Sequence, residues 1–477
     1  MKQIPDSWVL STVGEITLPV STVEAASADD REIRYIDIGS IDNQRNRIAE
    51  PKRLGLASAP SRARQIVKSG DVLFATVRPY LRNIAHVPDS LDGEIASTGF
   101  AVLRPANGVE PGYLFYKALS QDLVAALTGE QYGVSYPAVK DEQVRAQPIE
   151  LPPKNEQRRI VAKIEQLFSE LDKGVESLTA AREQLKAYRQ SVLKHAFDGK
   201  LTEGWRAENS DKLEHPEALV ARIKRERDDR YKAALDEWRG NGKSIKPKSP
   251  RQLSKLADTK KTNGIWPIVE LGDLLSVSSG LGLTAQQMRD GPYAVYGGNG
   301  INGRHDEYFV AEPELVIGRV GAKCGVTHIT LPKSWVTDNA LIVTPLIFSF
   351  DKRFFKWLLE IKNLNILGGS TGQPVISGSK IYPVEISFPP HAEQAEIVRI
   401  LESTLETADV MGTEIDAALA RANALRQSIL KQAFSGQLVV QDPADEPASV
   451  LLERIRAGQE ESSAKKRHTK NGNKEAA

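Results

Sequence analysis

LPPKNEQRRIVAKIEQLF, residues 151–168, opens a stretch that closes with RQSVLKHAFDGKL at residues 189–201. Residues 388–405 read FPPHAEQAEIVRILESTL, and residues 426–438 read RQSILKQAFSGQL. A gapless shift of 237 positions lays Leu151–Leu201 on Phe388–Leu438 with 20 identities in 51. Chance would supply roughly three or four, so the chain contains an internal repeat.

Each copy begins at a proline pair, Pro152-Pro153 or Pro389-Pro390. A helix accepts proline at its start and rejects it in its interior. Behind the pair, apolar residues recur at three and four: Ile160, Ile164, Leu167, Leu171 and Val175 in one copy, Ile397, Leu401, Leu405 and Ile415 in the other. That spacing marks one face of a long helix. Gly199 and Gly436 stand where a left-handed C-terminal cap would end each helix. From Gln157 to Phe197 the helix would be about 60 Å long at 1.5 Å per residue. Alone, it could not bury its stripe, so one copy is expected to pack on the other as a two-helix coiled coil. Two unrelated amphipathic helices would not share the Pro-Pro, Glu-Gln and Arg-Gln-Ser ends.

The repeats divide the chain. Residues 1–150 read as an α/β domain: Val72–Val77 and Phe100–Leu103 are buried-strand patterns, and Tyr113–Leu127 reads as a helix. Residues 264–387 follow the same plan. Trp266 echoes Trp8, Leu271-Gly272-Asp273-Leu274 echoes Val13-Gly14-Glu15-Ile16, Glu314–Arg319 echoes Asp71–Thr76, and Ala340–Pro345 echoes Phe100–Pro105. Between these landmarks the two domains do not align. Residues 151–201 and 388–438 are the long helices. Residues 202–263 hold a charged helix, Glu217–Trp238, and a basic linker, Lys243–Lys261. Residues 439–477 echo that join, Pro447–Arg456 resembling Pro216–Lys224, and disorder is expected from Lys465 to Ala477. The expected fold is α+β: two α/β domains joined by two long helices, with an internal repeat. A constant framework with different loops suits one scaffold carrying two recognition surfaces.

With 477 residues and 40% hydrophobic content, the chain is large enough for three domains of ordinary size. A net charge of +1 announces no nucleic-acid partner in bulk. Cys324 is the only cysteine, which excludes an internal disulfide framework and suits a reducing cytosol. The N-terminus lacks an apolar signal core and no apolar run approaches membrane-spanning length, so no membrane association is expected.

Catalytic motifs are missing. Gly298–Gly303 spells G-x-G-x-x-G, but the following Arg304–Val310 is no helix opening. Gly242-Lys243-Ser244 ends like a phosphate loop, yet Glu237 stands where its first glycine belongs. The seven histidines show no metal-ligand spacing. The binding signal is stronger. Arg78, Tyr80, Arg82 and Asn83 cluster in one loop, and Arg319 and Lys323 flank Gly321 at the matching place in the second domain. Arginine and lysine satisfy phosphates and guanine edges; asparagine and glutamine pair with adenine edges. Ser135, Tyr136, Ser370, Thr371 and Gln373 are further candidates.

On the two Pro-Pro-x-x-Glu-Gln openings, the paired Arg-Gln-Ser and Ala-Phe-x-Gly helix ends, and Leu201-Thr202-Glu203-Gly204-Trp205-Arg206, the chain resembles the specificity (S) subunit of type I restriction-modification enzymes. The resemblance covers nearly the whole chain. One departure is Val439-Val440-Gln441 after Leu438, where the family has Thr-Glu-x-Trp. The resemblance implies two target recognition domains, each reading one half of a split double-stranded DNA site. It implies an antiparallel coiled coil that spaces the halves and docks two modification subunits. It also implies restriction subunits, and a complex that uses S-adenosylmethionine, ATP and Mg while this chain binds no cofactor and is not itself catalytic. The competing readings are a coiled-coil adaptor, which needs no paired basic loops, and an enzyme, which should show a convergent titratable cluster.

Overall fold

The structure, a computed structural model, describes residues 4–23, 31–129, 138–241, 247, 249, 262–321, 323–369 and 374–475, with backbone alone for 241 and 462–475. All of the linker Lys243–Lys261 except 247 and 249 lies outside them. The chain folds as two compact units: Met1–Thr179 with Asp416–Ala477, and Ala180–Ile415.

Both repeats are helices, Lys154–Phe197 and His391–Ala433. They end identically. Lys200 N–H donates to His195 O at 2.9 Å and Gly199 N–H to Ala196 O at 3.4 Å; Gln437 N–H donates to Gln432 O at 2.9 Å and Gly436 N–H to Ala433 O at 3.4 Å. These are the paired bonds of a Schellman cap. Gly199 and Gly436 take φ of +78° and +72°. A Cβ on Gly199 would meet the flexible end of Ile265 at 2.9 Å, whereas on Gly436 it would overlap the rigid Pro5 ring. Gly436→Ala is therefore expected to cost about 1–2 kcal/mol for the left-handed backbone plus a clash, and more than Gly199→Ala; denaturant unfolding of both variants checks the order.

In the first unit, strand Val72–Ala75 lies between Phe100–Pro105 and Ile84–His86, with Thr17–Leu18 beyond Phe100–Pro105. In the second, Leu315–Gly318 lies between Ala340–Pro345 and Thr327–Ile329, with Leu275–Ser279 beyond Ala340–Pro345. Glu32–Ile36 pairs antiparallel with Lys52–Gly55 and parallel with Ile95–Ser97. Tyr293–Gly297 does the same with Gly300–His305 and Trp335–Val336. The strand plan thus repeats far beyond the landmarks that align in sequence. Strand pairing requires only extended backbone and a buried face, which different sequences can supply. The largest difference is an insertion. Fifteen residues, 37–51, separate Glu32–Ile36 from Lys52–Gly55, whereas Gly298-Asn299 alone separates the second unit's counterparts. The G-x-G-x-x-G stretch is this hairpin turn and the strand after it.

The units bury matching helix residues. Ile160, Ile164, Leu430 and Ala433 join the core under the first unit's sheet; Ile397, Leu401, Leu193 and Ala196 join the second's. Arg426 pairs with Asp172 in the first unit, and Arg189 with Asp409 in the second. These four residues are repeat counterparts, since Asp172 aligns with Asp409 and Arg189 with Arg426.

The joins also correspond. Helix Pro216–Asn241 buries Leu219 and Ile223, and the Arg227 guanidinium lies 3.4 Å from the Asp273 carboxylate. Helix Ala448–Glu475 buries Leu451 and Ile455, and Gln459 Nε2 donates to Glu15 O at 3.0 Å. The C-terminal helix runs to Glu475. One expectation is corrected. Tyr113–Leu127 is two helices, Pro111–Ala118 and Gln121–Gly129; the Leu119 and Ser120 N–H groups turn back to Phe115 O and Lys117 O, closing the first. Among the described residues, no helix is long and apolar enough to cross a membrane and no side-chain cluster could hold a metal ion.

Candidate nucleic-acid interface

The loop after strand Val72–Ala75 is a single 3-10 turn, Pro79–Leu81, with Arg78 at its start and Arg82 at its end. Proline presets φ for the turn, and Leu81 N–H and Arg82 N–H close it onto Arg78 O and Pro79 O, both at 2.9 Å. Arg78 and Arg82 take φ of 51° and 52°, a region that side chains with a Cβ seldom enter. Asn46, at φ 50°, joins them: its Nδ2 donates to Arg82 O at 3.1 Å and Ile84 O at 3.3 Å. Three of the five non-glycine residues with positive φ among the described residues therefore meet at one place. Such strain gathers where a surface is held in a set shape for binding.

The loop's side chains differ in availability. Tyr80 is 47% exposed. Arg82 donates to Gln121 Oε1, and burial pushes its guanidinium pKa down, so it braces the loop. Asn83 is half-buried, its carbonyl accepting from Ala75 N–H at 3.1 Å. Asn43, exposed in the inserted hairpin, donates to Leu81 O at 3.0 Å. Asn43 and Asn46 bond to the loop and Arg45 stands between them in the chain, and sequence reading passed over all three. The signal was present in the basic, amide-rich run Asn43-Gln44-Arg45-Asn46-Arg47.

In the second unit, Arg319 Nη1 donates to Ser279 Oγ at 3.2 Å and Asp338 O at 3.3 Å, while Lys323 is exposed. The two loops correspond in backbone. Thr76 N–H bonds Gly99 O and Arg319 N–H bonds Asn339 O, both at 2.9 Å. Thr76 O accepts from Val139 N–H and Arg319 O from Ile376 N–H, at 2.9 and 2.8 Å. Thr76, not Arg78, is thus the counterpart of Arg319, and Arg78 stands two residues further along. Ser135, Tyr136, Ser370, Thr371 and Gln373 lie outside the described residues.

The family model described as "Type I restriction modification DNA specificity domain" matches residues 20–178 and 263–420, one stretch per repeat. The Type I restriction enzyme EcoKI specificity subunit of Escherichia coli (strain K12) is 25% identical over 492 residues, covering 97% of this chain and 98% of that protein. The EcoDI specificity subunit of Escherichia coli is 25% identical over 358 residues, 72% of this chain and 76% of its own length. A solved chain described as "Structural basis underlying complex assembly and conformational transition of the type I R-M system" superposes with a TM-score of 0.68 at 26% identity, covering 91% of this chain and 99% of that one. With both repeats matched over most of the chain, this protein belongs to the type I restriction-modification DNA specificity family.

Proposed function

We propose that this chain is the DNA-specificity subunit of a type I restriction-modification complex, with each recognition domain binding one half of a split double-stranded target. The observation that carries the reading is one strand plan built twice with different loops, each loop set leaving the same strand end. A duplicated scaffold with divergent loops suits a bipartite, asymmetric ligand, and half-site spacing follows from protein geometry in other DNA readers. The long helices act as an antiparallel coiled coil with pseudo-twofold symmetry; the repeat-related pairs Arg426–Asp172 and Arg189–Asp409 support that arrangement. The helices dock two modification subunits, and restriction subunits join them. Those partners supply the S-adenosylmethionine, ATP and Mg chemistry in the cytoplasm, while this chain supplies the address and is not itself a catalyst.

Arg78 and Arg319 are proposed base contacts of opposite half-sites. Arg78→Ala should cost about 1–3 kcal/mol at one half-site and Arg319→Ala a similar amount at the other. Sequencing of methylated sites in cells carrying each variant reads this directly, since relaxation should be confined to one half of the motif. Equal weakening on all sequences by both variants would reassign the two arginines to phosphate contact or loop support.

A further inference from the structure

The insertion that distinguishes the first recognition domain is basic. Residues 43–55, from the inserted hairpin to the edge strand Lys52–Gly55, contain Arg45, Arg47, Lys52 and Arg53 against the single acid Glu50. All four cations are exposed. Arg47 lies 3.7 Å from Asp42, and Lys52 is paired with Asp37. Arg45 and Arg53 have no ion-pair partner among the described residues. The ribbon is tied to the strained loop by the Asn43 and Asn46 bonds to Leu81, Arg82 and Ile84 carbonyls. It then continues as the sheet edge, where Lys52–Gly55 pairs on one side only, with Glu32–Ile36.

The second domain lacks this feature. Its counterpart edge, Gly300–His305, holds one arginine, Arg304, which donates to Pro292 O at 2.8 Å. Asp306 and Glu307 follow directly and are both bound by Arg289, at 2.7 and 2.6 Å. The same position in the strand plan is thus cationic in one domain and charge-compensated in the other.

We infer that the ribbon Arg45–Arg53 is a phosphate-binding track of the first recognition domain alone, so that the two halves of the DNA site are held by unequal electrostatics. The inference rests on the DNA-specificity reading and adds where sequence-independent affinity is generated. Exposed arginines without ion-pair partners, Arg45 in the hairpin turn and Arg53 on the edge strand, gain most by replacing counterions on a phosphate backbone, and each such contact steepens the salt dependence of binding by about 0.9 in log–log slope.

The test uses the complex assembled from this chain and its modification subunits. Affinity is measured against salt concentration on two duplexes, one carrying the site methylated in cells and one with that site scrambled. For Arg45→Gln/Arg53→Gln the slope should fall by about 2 on both duplexes, with the preference for the true site retained. Arg304→Gln in the second domain should leave the slope unchanged. Because the side chains are exposed, thermal melting of the double variant should match the parent. An unchanged slope in the double variant overturns the track, and a fall of about 0.9 with Arg304→Gln, the full value for one contact, overturns the asymmetry. Failure of the parent complex to prefer the true site would instead strike the specificity reading, because the slope is read on both duplexes.

Discussion

Glu393→Ala is expected to destabilise the second unit by about 3–5 kcal/mol, because it strands a largely buried guanidinium. Glu393 is fully buried just inside the start of the second long helix. Its Oε1 accepts from Thr202 Oγ1 at 2.7 Å and Arg206 Nε at 2.8 Å, and its Oε2 accepts from Trp266 Nε1 at 2.8 Å. Arg206 also donates to Gly199 O at 2.6 Å, so one carboxylate ties a helix start, a helix end and the recognition domain together. The repeat counterpart behaves differently. Glu156 is 1% exposed and accepts from Gln441 Nε2 at 2.6 Å, with no arginine in the place of Arg206. Burial is the largest influence on Glu156 and pushes its carboxyl pKa above the ordinary value. A raised carboxyl contributes stability below its unfolded pKa and loses it as pH rises through the folded value. At neutral pH, Glu156→Gln should therefore be neutral or stabilising, whereas Glu393→Gln should destabilise. Unfolding midpoints of the three variants at pH 7 decide it, and equal losses for Glu156→Gln and Glu393→Gln would refute the contrast.

Four residues added after Thr179 should change which DNA is recognised. If the paired helices set the gap between half-sites, one extra turn lengthens the first helix by roughly 6 Å. Duplex DNA rises about 3.4 Å per base pair, so the methylated sites should carry one or two more base pairs between their halves. Four residues nearly restore the apolar stripe, and the helix should survive. Two residues would instead rotate the stripe by about 200° and should destabilise the packing. A stable, active four-residue variant that still methylates the parental spacing would remove the ruler from the proposed function.

The long helices, their starts, their glycine caps and their duplication were legible in the amino-acid sequence because each depends on residues within a turn or two. The stripe from Ile160, the Pro152-Pro153 start and the Gly199 cap are local properties of the backbone. So was the loop at Arg78, because proline and clustered polar residues mark a turn. The tertiary structure decided which side chains remain available. Arg82 is taken up by Gln121, 39 residues away in sequence, whereas Arg319 is oriented through Nη1 by Ser279, 40 residues away. It also decided that Gln441, after the departure Val439-Val440, takes the place held by Arg206 in the other repeat. Gln441 accepts from Ser7 and donates to Glu156, partners 434 and 285 residues distant. It laid the basic insertion against the strained loop. Local pattern specifies what a backbone segment can be. Which polar group meets which is settled only when folding brings distant segments together, because a buried donor or acceptor must find whichever partner the fold places within reach.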